Sequence, residues 1–286
     1  MIETNNDKKS IVVFYVVTLL ISAVVEGITI ITGCMATVLI LMWVPGIVGI
    51  ICSRVFYPKK QALGVKKFKL RYLLLAILIP NAYLIPSYML SWAILKDPTI
   101  GVNELALKFT NGVVFDIPGV SVLFLAFIPM LLLSMVTAAG EELGWRGFAF
   151  PILARLYGTK KAILINGSIW AVWHMPLIIS GQYQASVNIV YGIISFFIEV
   201  MILTMFFCWS RKTSGSVIPA IVLHATHNLV DQSYLQQLST NARAPYLSGE
   251  QGFITILVGV LLAIVLWSIK VKEQYEKKEK HTLKDS

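Results

Sequence analysis

The chain has 286 residues, 57% of them apolar and only 14% charged, against roughly 25% charged in an average soluble domain. That much apolar surface cannot be hidden in one soluble core, and the composition also excludes intrinsic disorder, a collagen-like chain and a disulfide scaffold. A polytopic membrane protein remains, in which the net charge of +9 needs an explanation at the membrane before one in nucleic acid.

The first apolar stretch, 11–32, follows Lys8 and Lys9 and contains Glu26. It is too long for the apolar region of a signal peptide and has no convincing cleavage site, so it reads as a first span. Further stretches follow at 35–54, 70–95, 118–139, 160–180, 187–209, 215–232 and 252–270, making eight expected spans. Between the fourth and fifth, the mixed segment Glu141–Tyr157 reads as a helix running on into an interfacial segment, bent at Pro151. The sizeable outer segments are 96–118 and 232–251. Cys34, Cys52 and Cys208 have no paired spacing and read as small buried hydrophobes. No internal repeat, linker or low-complexity tract divides the chain. The expectation is therefore an all-α integral membrane domain over 1–286, with transmembrane helices around a polar intramembrane cavity, a core at 118–232 and a basic tail at 271–286.

The basic residues orient this layout. With the N-terminus in the cytoplasm, all but three of the 24 lysines and arginines fall in the tails or the inner loops. The exceptions are Lys96, Lys108 and Arg243. The positive-inside rule thus predicts a multi-pass cell-membrane protein with both termini cytoplasmic, its basic tails touching anionic headgroups.

An ionisable group in hydrocarbon is costly and so is a functional candidate by default. Those in or at the spans are Glu26, Glu141, Glu142, His174, Glu199, His224 and His227. In Glu141-Glu142-Leu143-Gly144-Trp145-Arg146, Glu142 and Arg146 are i, i+4 with the acid first, the favourable order for a pair. Glu141 is turned about 100° away, free to face a cavity. Trp170 and His174 share a helix face, where the indole can stack on or shield the imidazole. His224 and Asn228 share another, with His227 close to it. Simple counting puts Glu141 at the inner end of its span and His174 and His224 nearer mid-membrane, so convergence requires a bend or tilt. Together these groups suit water activation by a carboxylate with oxyanion stabilisation by imidazole and amide. They equally suit a metal held by Glu141, His174 and His224.

The three stretches, E-E-x-x-x-R, aromatic-x-x-x-H and H-x-x-x-N in that order, resemble the signature of the CPBP family of CAAX proteases and bacteriocin-processing enzymes, also called the Abi family. The resemblance covers 118–232 and implies a fold and activity similar to the type II CAAX prenyl endopeptidase, an eight-span membrane protease. It implies Glu141 as the base that activates water, His174 as its assistant, His224 and Asn228 as the oxyanion site, and Glu142, Arg146 and Trp170 in support. The substrate implied is membrane-associated, either a prenylated tail or a bacterial peptide. The cofactor is zinc or none, since no H-E-x-x-H is present to test and a carboxylate base in a low-dielectric cavity suffices in principle. The signatures of serine-type and aspartyl-type intramembrane proteases are absent: Ser180-Gly181 lacks its upstream glycine, and Asp231 has no partner motif. Two other classes compete: a proton-coupled transporter, which Glu26 and Glu199 would suit, and a non-catalytic regulator or immunity protein, which retention of every motif position disfavours. His227 matches no motif position, and nothing in the sequence speaks to the oligomeric state.

Overall fold

The computed structural model describes residues 2–58, 63–97 and 99–282. Lys59, Lys60 and the last four residues of the basic tail lie outside the described residues. The described residues are helices and their connections: α1 (Ile2–Thr32), α2 (Ala36–Phe56), α3 (Leu70–Leu95), α4 (Val102–Phe109), α5 (Gly119–Glu142), a first π turn (Leu143–Ala149) and α6 (Phe150–Ile179). Then come α7 (Ile189–Ser214), α8 (Ile218–Asn228), a second π turn (Leu229–Leu235), α9 (Gln236–Leu238), α10 (Ala244–Leu247) and α11 (Phe253–Thr282). Such an all-helical build satisfies every backbone donor within its own segment, as hydrocarbon demands.

The bundle buries polar groups within a largely apolar core and turns apolar side chains outward. Large side chains such as Leu20, Val24, Phe124, Leu125 and Leu133 stand exposed, while Glu26, Glu141, Glu142, Arg146, Asn166 and Glu199 are buried. In water such a contiguous apolar surface would be a liability; against lipid it is the expected face.

Among the described residues, five stretches are long and apolar enough to cross a membrane: Asn5–Thr32, Ala36–Phe56, Leu70–Leu95, Gly119–Ile179 and Ile189–Ser214. The fourth is a 61-residue run whose two arms coincide with the fourth and fifth expected spans. The chain breaks at Gly158 (φ 77°, ψ 163°) and not at Pro151. Pro151 lies in the first turn of α6, where its missing N–H costs little, and only glycine adopts the Gly158 conformation freely. The seventh and eighth expected spans are helical too, but one is an 11-residue α-helix ending in a π turn and the other has a 17-residue apolar part.

Helix α2 lies against α5 at backbone contact. A Cβ placed on Gly140 would meet Met42 O at 2.5 Å, and one on Gly46 would meet Gly140 O at 2.4 Å. Small residues at such crossings let membrane helices pack by dispersion alone. The contact also sets a depth. Gly140 is level with Met42 and Trp43, in the first half of α2, and the rod goes on past Glu141 to Gly158. Glu141 is therefore inside the bundle and not at the end of the rod, although α5 proper ends at Glu142, which removes the depth mismatch found by counting.

Loop contacts distinguish the two ends of the bundle. One end joins Arg155 to Asp7 at 2.9 Å, Lys212 to Thr159 at 2.6 Å and Val217 N to Gly64 O at 2.9 Å. The other joins Ile100 N to Leu238 O at 2.9 Å, Thr240 Oγ1 to Asp97 at 2.6 Å and Asn188 N to the Tyr246 hydroxyl at 2.8 Å.

Candidate active site

The first π turn begins inside the first motif and the second begins where the third motif ends. Glu141 and Glu142 are the last residues of α5, and Asn228 is the last of α8. A π turn widens the helix by one residue and re-aims the side chains beside it, which is why such turns gather at functional sites.

Glu142 is wholly buried and shares one oxygen, Oε1, between Arg146 Nη1 at 2.8 Å and His224 Nδ1 at 2.9 Å. The expected i, i+4 pair is thus present, with an imidazole from α8 added to it. The Arg146 guanidinium also donates to Thr204 Oγ1 at 3.2 Å and lies over the rings of Trp170 (4.1 Å) and Phe207 (4.8 Å). Arginine suits this position, since its planar cation stacks on aromatics while its fork holds a carboxylate.

Glu141 points the other way, as the 100° step requires. Its Oε2 accepts the Trp170 indole N–H at 2.7 Å. Trp170 also stands between the two imidazoles, with ring centroids 5.5 Å from His174 and 5.6 Å from His224, both edge-on. The sequence suggested shielding of His174 by this tryptophan; its hydrogen bond to Glu141 joins two motifs and carried no sequence signal.

Partners assign the histidine tautomers. His174 Nδ1 lies 2.9 Å from the Trp170 carbonyl, which can only accept, so Nδ1 carries the proton and Nε2 keeps a lone pair. His224 Nδ1 likewise donates to Glu142, leaving Nε2 for the cavity. Glu141, His174, His224 and Asn228 all line one cavity of about 140 Å³. Leu41, Leu177, Phe196, Val200 and Leu203 supply its apolar wall. It reaches Tyr183 and Glu250, so it occupies the half of the bundle nearer the Asp97–Thr240 end. Gln232, Glu250 and Tyr183 are cavity residues that the motifs did not reveal. Tyr183 and Gln232 fall just after the second and third motifs, outside their spacing, and Glu250 lies on the connection before α11.

The expected metal set Glu141, His174 and His224 offers donor types that suit zinc. Among the described residues, the grouping whose ligand atoms all lie within 4.8 Å of one another is a different one, His227, Asp231 and Glu250.

Residues 123–230 match the Rce1-like family, described as type II CAAX prenyl endopeptidase Rce1-like. The chain is also 32% identical over 156 residues to the CAAX prenyl protease 2 of Methanococcus maripaludis, covering 53% of this chain and 54% of the relative. The chain thus spans about half the length of the curated relative it matches. The family match falls inside the 118–232 stretch that carries the three motifs, and the resemblance read from them holds.

Proposed function

We propose that this multi-pass membrane protein is an intramembrane endopeptidase that hydrolyses a peptide bond in a membrane-associated substrate. The observation that carries this is the pair of adjacent carboxylates with opposite environments: Glu142 held by Arg146 and His224, Glu141 held by one indole N–H and facing a cavity with two imidazoles and an amide. Glu141 takes a proton from a water molecule as the water oxygen attacks the scissile carbonyl. His224 acts here as the imidazolium: its Nδ1–H is held by Glu142, and its Nε2–H together with the Asn228 amide donates to the oxyanion of the tetrahedral intermediate. His174, through Nε2, orients the water and passes the proton to the leaving amine. This route uses no metal. A zinc ion held by Glu141, His174 and His224 is the alternative, and would polarise the carbonyl or the water.

The apolar wall beside these groups suits a substrate segment anchored in the membrane. With both termini cytoplasmic, as the basic residues suggest, the cavity lies in the half of the bundle away from the cytoplasm. That favours a peptide met from the outer side over a soluble cytoplasmic tail.

Replacement of Glu141 tests the reading. Cells carrying the wild-type protein and cells carrying Glu141→Ala are compared for the peptides that accumulate, with the variant checked for normal membrane insertion. Uncleaved precursor should build up only with the variant, the rate falling by roughly 10²-fold or more. Unchanged processing by Glu141→Ala would sink the mechanism. Metal analysis of an active preparation separates the two chemistries.

A further inference from the structure

Next to the cavity lies a second buried polar cluster that the proposed hydrolysis does not use. His227 and Asp231 are four residues apart across the junction of α8 and the second π turn, and Glu250 comes from the connection before α11. All three are buried, at 0%, 1% and 4% exposure. Each has one ligand-bearing atom turned inward, and these atoms lie within 4.8 Å of one another.

The surroundings of the three are organised in a particular way. The Tyr83 hydroxyl meets His227 Nδ1, which turns Nε2 toward Glu250 Oε1 at 3.5 Å. The Tyr88 hydroxyl donates to Asp231 Oδ1 at 2.7 Å. Tyr183 donates to Glu250 Oε2 at 2.6 Å, and Gln232 to Glu250 Oε1 at 2.8 Å. An outer ring of hydroxyls and amides thus fixes each side chain, while the inner atoms His227 Nε2 and Asp231 Oδ2 are buried with no hydrogen-bond partner. That is the arrangement of a metal site, in which outer partners hold the ligand side chains and leave the coordinating atoms free.

The charge count points the same way. Glu199, from α7, is wholly buried with both carboxylate oxygens unpartnered, and it acts electrostatically on His227. Three carboxylates and one imidazole therefore share the region; His227, 3.5 Å from Glu250, is the one group that could supply a positive charge, and no lysine or arginine forms an ion pair with any of them among the described residues. Buried carboxylates need a counter-charge or a metal.

We propose that His227, Asp231 and Glu250 bind one divalent transition-metal cation of the zinc type, with Glu199 as the nearby balancing carboxylate. One imidazole nitrogen with carboxylate oxygens is a donor set that Zn²⁺ accepts. The ion ties the second π turn to the Ser248–Gln251 connection. Gln232 and Glu250 belong to these same segments and line the cavity, so the ion holds one cavity wall in place. Its role is positional, and it stands whether or not the peptidase reading does.

The test uses the full-length protein in detergent, stripped with a chelator and titrated with Zn²⁺, then with Co²⁺ as a coloured probe. The expected result is one equivalent bound, a raised thermal midpoint, and visible Co²⁺ bands from a nitrogen and oxygen donor set. The near-isosteric pair Asp231→Asn with Glu250→Gln should weaken binding on the order of 100-fold, whereas Glu141→Gln should bind as wild type does. Absence of binding in the wild type overturns the proposal without any variant having to fold. So does binding that survives the Asp231→Asn and Glu250→Gln changes, or binding lost in Glu141→Gln, which would put the ion in the catalytic cavity.

Discussion

Glu142→Gln separates the two neighbouring carboxylates most sharply. The change keeps size and shape but removes the negative charge facing Arg146, which is 0% exposed. What remains for the guanidinium is two neutral oxygens, the new amide's carbonyl and Thr204 Oγ1 at 3.2 Å, and two aromatic faces already engaged in the parent protein. The new amide also puts an N–H₂ where Glu142 Oε2 now lies buried without a partner. Breaking one side of a buried pair costs about 3–5 kcal/mol, a large share of the roughly 5–15 kcal/mol by which proteins are stable. Glu141→Gln sacrifices only a charge on the indole hydrogen bond and should cost about 1–2 kcal/mol. The assay is the fraction of purified protein that stays monodisperse after heating across a temperature series. Glu142→Gln should fall well below both wild type and Glu141→Gln, and the double variant Glu142→Gln with Arg146→Met should recover much of the loss. Equal midpoints for the two single variants, or no recovery in the double, would refute the assignment of Glu142 as the counter-charge of Arg146.

Gly140→Ala should sharply lower the yield of folded protein. Its new Cβ would meet Met42 O at 2.5 Å and Trp43 Cα at 2.8 Å, a backbone clash at or above the usual 1–3 kcal/mol of overpacking. Gly27→Ala, with nothing within 4 Å, is the control and should be harmless. Cys34 is exposed in the turn between α1 and α2, whereas Cys52 and Cys208 are buried. A membrane-impermeant maleimide should therefore label Cys34 in intact cells if the termini are cytoplasmic, and labelling only after lysis would reverse the orientation. At Asp97, burial pushes the carboxyl up, but hydrogen bonds from Thr240, Asn241 and Thr99 outweigh it and hold the group below the ordinary carboxylate range. A lowered folded value means that this contribution is complete above the unfolded value of about 3.9 and fades as pH falls through the folded one. Protection of the Thr240 and Asn241 amides from exchange, relative to the unstructured rate at the same pH, should fall below about pH 4 in the wild type and be low at every pH in Asp97→Asn. A pH-independent wild type would contradict this.

The site's four motif residues and the Glu142–Arg146 pair were legible because each depends on local spacing. An i, i+4 pair survives any tertiary arrangement, and a 100° step separates Glu141 from Glu142 wherever the helix lies. What escaped depends on meeting between distant segments. Trp170 reaches Glu141 across 29 positions and His224 reaches Glu142 across 82. Asp231, which has no partner motif, finds Tyr88 across 143. The apolar stretches located the helices but not their lengths, because hydropathy does not register a rod that runs from Gly119 through a π turn to Gly158. Pro151 carried the expected bend only because proline is a visible breaker; Gly158 is the residue whose backbone turns.

The first π turn has a consequence for the chain as a ruler. A π turn holds one residue more than the α turn it replaces, so the helix before it and the helix after it are read in different frames. Six of its seven residues, Gly144–Ala149, are buried. Deleting one of the seven would let an unbroken α-helix form with the same rotation from end to end, whereas deleting a residue within α5 would turn everything from Phe150 to Gly158 by about 100°. In the first case Arg155 keeps its place beside Asp7, while side chains inside the turn, such as Phe148 with its ring centroid 5.2 Å from that of Phe14, lose the positions the wider turn gives them. The supernumerary residue is therefore absorbed within the turn: it re-aims the side chains beside the carboxylate pair while the rod's far end stays in phase with the N-terminal helix it is tied to.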